Sequence, residues 1–417
     1  MSKSGIIKKI FRDFWAIMFI ELSGLYSPDH WKSIVDNVSK MLSCGETSNG
    51  YAEYICPCCK KTKKICFTCK SRFCTSCGKR YIDEWVEKMV YKIFDVPHRH
   101  LIFTIPQELR EIFRRDRSLL KFMMDCVSQV ILEVFRSRGR KVVPGILAVI
   151  HTFGGDIKFN PHIHVLVTEG GLTGDQWVDI SFIPYALLRK KWQYHLLTGL
   201  KSILPKTKEN ARFIDYLFKS QPKGFYVNGE KKMTSVRYAT RYLGRYLARP
   251  ALAEYRIVHY DGQKVTFWYK DHDTKGKKYA TLEVDEFIKL LIEHIPLKGF
   301  KMVRHYGLYS RRSKSISMKV LLKCKRFLQL KFGFLNNDSE RLSWRQRLIR
   351  SFGKDPLICS TCKEEMLLWY IWHPKYGYLF DLSRDGPFHQ DVKELLQTVK
   401  SDTEQPYRHI QLPLFEG

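Results

Sequence analysis

Three C-x-x-C pairs fall within 22 residues, Cys56-Pro-Cys58-Cys59, Cys66-Phe-Thr-Cys69 and Cys74-Thr-Ser-Cys77, and Cys44 lies a little upstream. Each pair can present two thiolates to one tetrahedral ion at about 2.3 Å, and two pairs close a structural zinc site with no open position. Such a stretch folds around its metal. Eight cysteines suffice for one site with spares or for two cross-braced sites, and spacing does not fix the pairing. The candidate Zn²⁺ ligands are Cys44, Cys56, Cys59, Cys66, Cys69, Cys74 and Cys77. Redox chemistry fits less well, and a catalytic zinc less well still, because all-thiolate sites seldom leave a position free.

The same stretch is strongly basic. From Cys56 to Arg80 it carries eight Lys/Arg and no acid, which makes it a DNA-contacting element with Lys70 and Arg72 as candidate contacts. The whole chain repeats the bias, with 71 Lys+Arg against 42 Asp+Glu and a net charge of +29 over 417 residues. An excess of that size implies a polyanionic partner, and nucleic acid is the commonest one. A hydrophobic content of 44% excludes a mainly disordered chain. Twelve cysteines without an export signal point to metal rather than disulfides, and to a cytoplasmic protein. The most apolar early run, Phe14 to Ile20, is far short of the roughly 20 residues a membrane span needs. A further pair, Cys359-Ser-Thr-Cys362, is either half of a zinc ribbon completed by residues such as His373 or His389, or a loop with two free thiols.

Periodicity gives the rest of the outline. Two short helices precede Cys44, the second entered at Ser27-Pro28-Asp29, and Tyr81 to Phe94 reads as a helix. His100 to Pro106, Gly145 to Phe153 and His162 to Thr168 read as strands, with one long helix, Gln107 to Arg136, between the first two. Helical pattern returns from Tyr185 to Ser220 with a break near Pro205, and a short strand follows at Gly224 to Val227. Asp261-Gly262 between Tyr255 to Tyr260 and Lys264 to Lys270 is a hairpin signal, and Glu286 to Ile295 looks helical. Lys298 to Lys331 holds eleven Lys/Arg and no acid, whereas the tail from Gly377 is acidic.

Two patterns carry chemistry. Arg237 to Arg249 (RYATRYLGRYLAR), at helical spacing, sets Tyr238, Tyr242 and Tyr246 in one row beside Arg237, Arg241, Arg245 and Arg249 in the next. The bland reading is a half-buried helix with packed tyrosines and solvated arginines. The second pattern is His-x-His, found at His98 and His100 and again at His162 and His164. Residues two apart on a strand share a face, so either pair can offer two imidazoles to one metal. The later pair has the better context, because Ile163, Val165 and Val167 alternate into a core while the histidines face a cleft. Arg99 and Pro97 mark the earlier pair as surface histidines or phosphate contacts. His151 is a candidate third ligand, since a hairpin turning near Asp156 returns it to the pair.

Together the patterns specify a reaction. A phenol of pKa near 10 is protonated at neutral pH, so attack on phosphorus needs a cation, a base, or both. Mg²⁺ or Mn²⁺ on the histidines would polarise the scissile phosphate, and the adjacent arginines would favour the phenolate. A phosphotyrosine product conserves the bond energy, which removes the need for ATP, and no Walker-type loop occurs.

In chain order, LIFTIP (Leu101 to Pro106), HTFGGDIKFNPHIHVLV (His151 to Val167) and YLGRYLARP (Tyr242 to Pro250) resemble the three motifs of HUH single-strand endonucleases. With the cysteine block, the combination resembles the two-tyrosine transposases of the bacterial insertion-sequence ninety-one family, as does Glu286 to Leu308. The resemblance implies an α+β fold: an N-terminal cysteine-rich zinc module, an HUH endonuclease domain with a central antiparallel sheet backed by helices, and a basic helical C-terminal region. The corresponding boundaries are 1–43 for N-terminal helices, 44–95 for the zinc-binding DNA-contact domain, 96–310 for the transposase domain and 311–417 for the C-terminal region. It implies His162 and His164 as the metal pair and Tyr242 and Tyr246 as nucleophiles, with Arg241, Arg245 and Arg249 against DNA. The activity implied is nicking of single-stranded or hairpin element ends through a 5′-phosphotyrosine, in rolling-circle-like movement within a bacterial cytoplasm, nucleoid-associated when bound to DNA. No helicase domain follows, so host helicase and replication machinery would separate the strands. Two other readings stand beside it: a non-catalytic zinc-dependent DNA-binding regulator on the same scaffold, and a tyrosine recombinase that forms a 3′-phosphotyrosine without metal.

Overall fold

A computed structural model describes residues 5–90, 93–94, 96–137, 141–174, 176–180, 183–229, 233, 244, 250–271, 274, 276–310, 313 and 343–385. The chain divides into two compact units, one of Met1–Ile34 with Tyr81–Asn337 and one of Val35–Arg80 with Asp338–Gly417.

The larger unit is built on a five-stranded antiparallel sheet of β3 (His98–Thr104), β4 (Gly145–Phe153), β5 (Phe159–Thr168), β8 (Val227–Gly229) and β12 (Val303–Gly307), in the order β12-β4-β5-β3-β8. One face is apolar throughout. Leu101, Phe103, Ile146, Ala148, Ile150, Ile163, Val165 and Val167 alternate onto it and are buried against α4 (Gln107–Arg115), α5 (Leu119–Arg136), α6 (Tyr185–Ile203) and α7 (Lys208–Ser220). The α5 stripe of Leu120, Met123, Met124, Val127, Val130, Ile131 and Val134 recurs at three and four residues, which turns one helix side to the sheet. Trp192 of α6 is fully buried edge-on to Phe103 and donates its indole N–H to Thr104 O at 2.8 Å, fixing the helix on the strand.

The long helix expected over Gln107 to Arg136 is two helices. Asp116 takes an extended conformation (φ −113, ψ 97), and its Oδ1 accepts from Ser118 N at 2.9 Å and Ser118 Oγ at 2.6 Å. This local bond diverts the backbone from the helical ladder, the usual competition offered by Asp and Ser. The break after α6 lies where Pro205 predicts it, and Thr207 caps α7 by accepting from Asn210 N at 3.2 Å. The basic run after Lys298 contributes β12, an edge strand that the charge pattern conceals.

A second sheet in this unit joins β9 (Ile257–Tyr260), β10 (Lys264–Lys270) and β11 (Lys277–Glu283). Its first turn holds Gly262 at φ +100, while Asp261 Oδ1 accepts from Gln263 N and Lys264 N at 2.8 and 2.7 Å. A short hairpin, β6 (Gly170–Thr173) with β7 (Gln176–Asp179), follows β5. The helix α1 (Ile6–Ser23) packs on the helix Val284–Ile292, where Lys289 Nζ reaches Glu21 at 2.8 Å.

The smaller unit is discontinuous in sequence. Its sheet runs β14-β13-β1-β2, all antiparallel, from β1 (Tyr51–Ile55), β2 (Thr62–Cys66), β13 (Leu367–His373) and β14 (Gly377–Asp381). The C-terminal region, expected to be helical, thus contributes a hairpin as well as the helix Trp344–Phe352. No helix among the described residues is long and apolar enough to cross a membrane.

Candidate active site

The register of the five-stranded sheet assembles a cluster of imidazoles on the face opposite the helices. His151 of β4 stands directly across from His162 of β5, and His164 is two residues further along the same strand. The nitrogens of His151, His162 and His164 lie within 4.8 Å of one another, and the ring centroids are 4.7 to 5.3 Å apart. His151 and His164 are buried, whereas His162 is half-buried, so solvent reaches the cluster from the His162 side. His162 Nδ1 donates to Asn160 O at 2.8 Å, which leaves Nε2 with its lone pair. Three neutral imidazoles within this distance fit a divalent ion, and nitrogen donors suit Mn²⁺ better than Mg²⁺.

His98 and His100 are not on the surface. Both are completely buried, on the same sheet face as the cluster, because β3 lies beside β5 with Ile102 opposite His164. His100 Nε2 is 3.0 Å from His164 Nδ1 and the rings are nearly parallel, so the pair's hydrogen bond fixes the His164 ring beside the cluster. His98 donates from Nδ1 to Val96 O and accepts from the Tyr309 hydroxyl, both at 2.7 Å, and burial lowers its pKa to about 4. The neutral imidazole is the form both bonds require. Arg99, between them, points the other way and pairs with the buried Glu169 at 2.5 Å.

The rest of this face is covered by α3 (Thr75–Val90), whose Tyr81, Trp85 and Met89 join Leu147, Val149 and Leu166 in an apolar cluster. Tyr242 and Tyr246, and with them Tyr238, Arg237, Arg241, Arg245 and Arg249, lie outside the described residues. Gly244, midway between the two tyrosines, is described. It is helical and so close to α3 that a Cβ there would overlap Val86 Cγ2 and touch Ile82. A glycine at this point is a packing requirement.

The cysteines gather into two tetrads, the other metal-competent groups among the described residues. Cys44, Cys69, Cys74 and Cys77 form one, with Cys77 Sγ 3.6 Å from Cys44 and 3.5 Å from Cys69. Cys56 and Cys59 form the other with Cys359 and Cys362. Cys66 belongs to neither: it ends β2 opposite Tyr51, and Cys44 stands beside Cys69 instead, accepting from Cys69 N at 3.4 Å. His373 holds Lys375 N at 3.1 Å, and His389 lies outside the described residues. Lys70 is exposed at φ +55 and Arg72 is half-buried. Two other lysines of the basic stretch are tied down within the unit, Lys61 to Thr361 Oγ1 at 2.9 Å and Lys63 to Pro356 O at 2.7 Å.

Residues 10–105 match the family described as "Transposase zinc-binding domain", and residues 145–316 match the family described as "Putative transposase". The transposase for insertion sequence element IS801 from Pseudomonas savastanoi pv. phaseolicola is 32% identical over 292 residues, covering 67% of this chain and 70% of that protein. A "Putative transposase y4qJ" from Sinorhizobium fredii (strain NBRC 101917 / NGR234) is 23% identical over 326 residues, covering 73% and 81%. No solved structure matches the chain. The zinc-binding match and the tetrad Cys44, Cys69, Cys74 and Cys77 that lies wholly within it make Zn²⁺ a structural component of the chain.

Proposed function

The chain belongs to the insertion-sequence ninety-one family of transposases, and on that footing we propose that it nicks one DNA strand at the ends of a mobile element through a tyrosine–DNA intermediate. The observation that carries this reading is the trio His151, His162 and His164 on two central strands, one side open to solvent. A divalent ion, Mn²⁺ or Mg²⁺, on these imidazoles would polarise the non-bridging oxygens of the scissile phosphate. His162 and His164 are the principal ligands and His151 the third. The Tyr242 or Tyr246 phenol attacks phosphorus, an O–P bond to tyrosine forms, and the bond to the 3′-oxygen breaks. The phenolic proton ends on that oxygen, leaving a 5′-phosphotyrosine and a free 3′-OH. Arg241, Arg245 and Arg249 offset the charge that develops. Two tyrosines four residues apart in sequence would allow successive transfers at a single site. The +29 charge and the exposed lysines of the cysteine-rich unit serve DNA binding, and strand separation falls to the host's helicase and replication machinery.

Incubation with 5′- or 3′-labelled single-stranded oligonucleotides and Mn²⁺ tests this. An SDS-resistant adduct of 5′ polarity, lost in Tyr242→Phe/Tyr246→Phe while DNA binding persists, is the expected result. An adduct that survives the double substitution, or one of 3′ polarity, overturns the assignment.

A further inference from the structure

Cys359 and Cys362 lie some 250 residues beyond the stretch matched by the zinc-binding family, which ends at residue 105. Their sulfurs nevertheless meet those of Cys56 and Cys59, inside one compact unit. We propose that Cys56, Cys59, Cys359 and Cys362 hold a second structural zinc ion, which makes the zinc-binding domain a composite of the two ends of the chain.

The distances fit this site. Cys56 Sγ lies 3.3 Å from Cys362 Sγ, Cys59 Sγ lies 3.5 Å from Cys359 Sγ, and Cys362 and Cys59 are 3.7 Å apart. A tetrahedral ion with Zn–S bonds of about 2.3 Å places its sulfurs about 3.8 Å apart. A disulfide would bring two of them to about 2.05 Å, and all four thiols are free. Cys56 and Cys359 are buried with Met366 beside them, Tyr54 packs against the same cluster, and Cys59 and Cys362 are half-buried.

The two halves also share one backbone design. Cys56 N donates to Lys61 O at 2.9 Å while Lys60 N donates to Cys56 O at 3.0 Å. Around the other pair Cys359 N donates to Glu364 O at 2.9 Å and Lys363 N to Cys359 O at 3.2 Å, the same two bonds at the same spacing. In each, the lysine after the second cysteine is left-handed, Lys60 at φ +61 and Lys363 at φ +66. That conformation is uncommon for a residue with a side chain, and its occurrence twice at equivalent positions marks a shared constraint. The fold it produces aims amides inward. The N–H groups of Cys362 and Thr361 face Cys359 Sγ. The lysines of the two turns supply positive charge around a tetrathiolate centre of net charge −2.

The partner strands bring the halves together independently of metal. β1 pairs with β13, with Ile55 opposite Leu367, and Ile358 bridges Glu365 at the base of the C-terminal turn. Cys44, Cys69, Cys74 and Cys77 form the other tetrad without any C-terminal residue. The cysteines therefore have capacity for two ions, of which the second depends on both ends.

Elemental analysis of the purified full-length protein is the test, with Cys359→Ser/Cys362→Ser and the exposed Cys58→Ser as variants. Two zinc ions per chain are expected for the wild type and for Cys58→Ser, and one for the double variant. A double variant that retains two, or iron in place of zinc in the wild type, overturns the proposal. Should the double variant fail to fold, stepwise zinc removal from the wild type with thiol alkylation and peptide mapping decides. Cys359 and Cys362 are expected to become reactive in the same step as Cys56 and Cys59. Reactivity of Cys359 and Cys362 in the fully loaded protein, or in step with Cys44, refutes the shared site.

Discussion

His100 gives the sharpest test of how the imidazole cluster is set up. Its ring is fully buried and its Nε2 stands 3.0 Å from His164 Nδ1. Substitution His100→Phe keeps an aromatic ring in the space but removes the nitrogen that faces His164. Exchange of one buried ring for another of similar volume costs under about 1.5 kcal/mol, and the polar group left on His164 adds about 1–3 kcal/mol. Stability measured by denaturant should therefore fall by about 1–4.5 kcal/mol. Metal binding should fall as well, because a ligand imidazole released from its outer partner typically loses 10–100-fold in affinity, or about 1.4–2.7 kcal/mol. Titration of Mn²⁺ into wild type and variant by calorimetry reads the second quantity directly. His100→Gln, which restores an acceptor, should recover affinity more than it recovers packing. A His100→Phe protein that is destabilised yet binds Mn²⁺ as tightly as wild type would refute the orienting role.

Two more outcomes follow from described contacts. Gly244→Val would drive a side chain into Val86 of α3, an overpacking that costs about 1–3 kcal/mol, and adduct formation should fall by more than stability does; an unchanged melting curve and rate would refute the close approach. His294 is half-buried, donates from Nε2 to Ile157 O at 2.7 Å and accepts on Nδ1 from Thr152 Oγ1 at 3.1 Å, and desolvation lowers its pKa to about 4. Because the folded value lies below the unfolded value of about 6.5, its contribution is complete above pH 6.5. It is lost as pH falls toward 4, at up to about 1.4 kcal/mol per pH unit. Denaturant titrations of wild type and His294→Asn across this window should show that slope in the wild type and a shallower one in the variant.

Local signals carried much of this molecule into view. The alternation of Ile163, Val165 and Val167 against His162 and His164 is a period-two pattern, and it gave the two sheet faces their correct contents. The turn at Asp261-Gly262 and the break at Pro205 are likewise fixed by residues next to them. Where a partner is distant, adjacency was silent. His100 reads as a surface residue beside Arg99 and Pro97, and only the pairing of β3 with β5 brings it against His164. Cys66 has the spacing of a ligand, but the strand it ends sets it apart from the tetrads. For Cys359 and Cys362 the nearby sequence offers His373 or His389, whereas their actual neighbours lie 300 residues earlier. The split of the Gln107 to Arg136 helix was legible in principle, since Asp116 and Ser118 are both residues that bond their own backbone.

The pairing of β1 with β13 also sets a timetable. Tyr51 to Ile55 leave the ribosome more than 300 residues before Leu367 to His373, so the N-terminal strand waits through most of synthesis for its neighbour. Until then its sheet can contain only β1 and β2, and a two-stranded ribbon is marginally stable at best. A chain cut short by a premature stop never completes that sheet. The cysteine-rich unit is thus finished last although it is begun early, and its sheet assembles only in a molecule whose larger unit has already been translated.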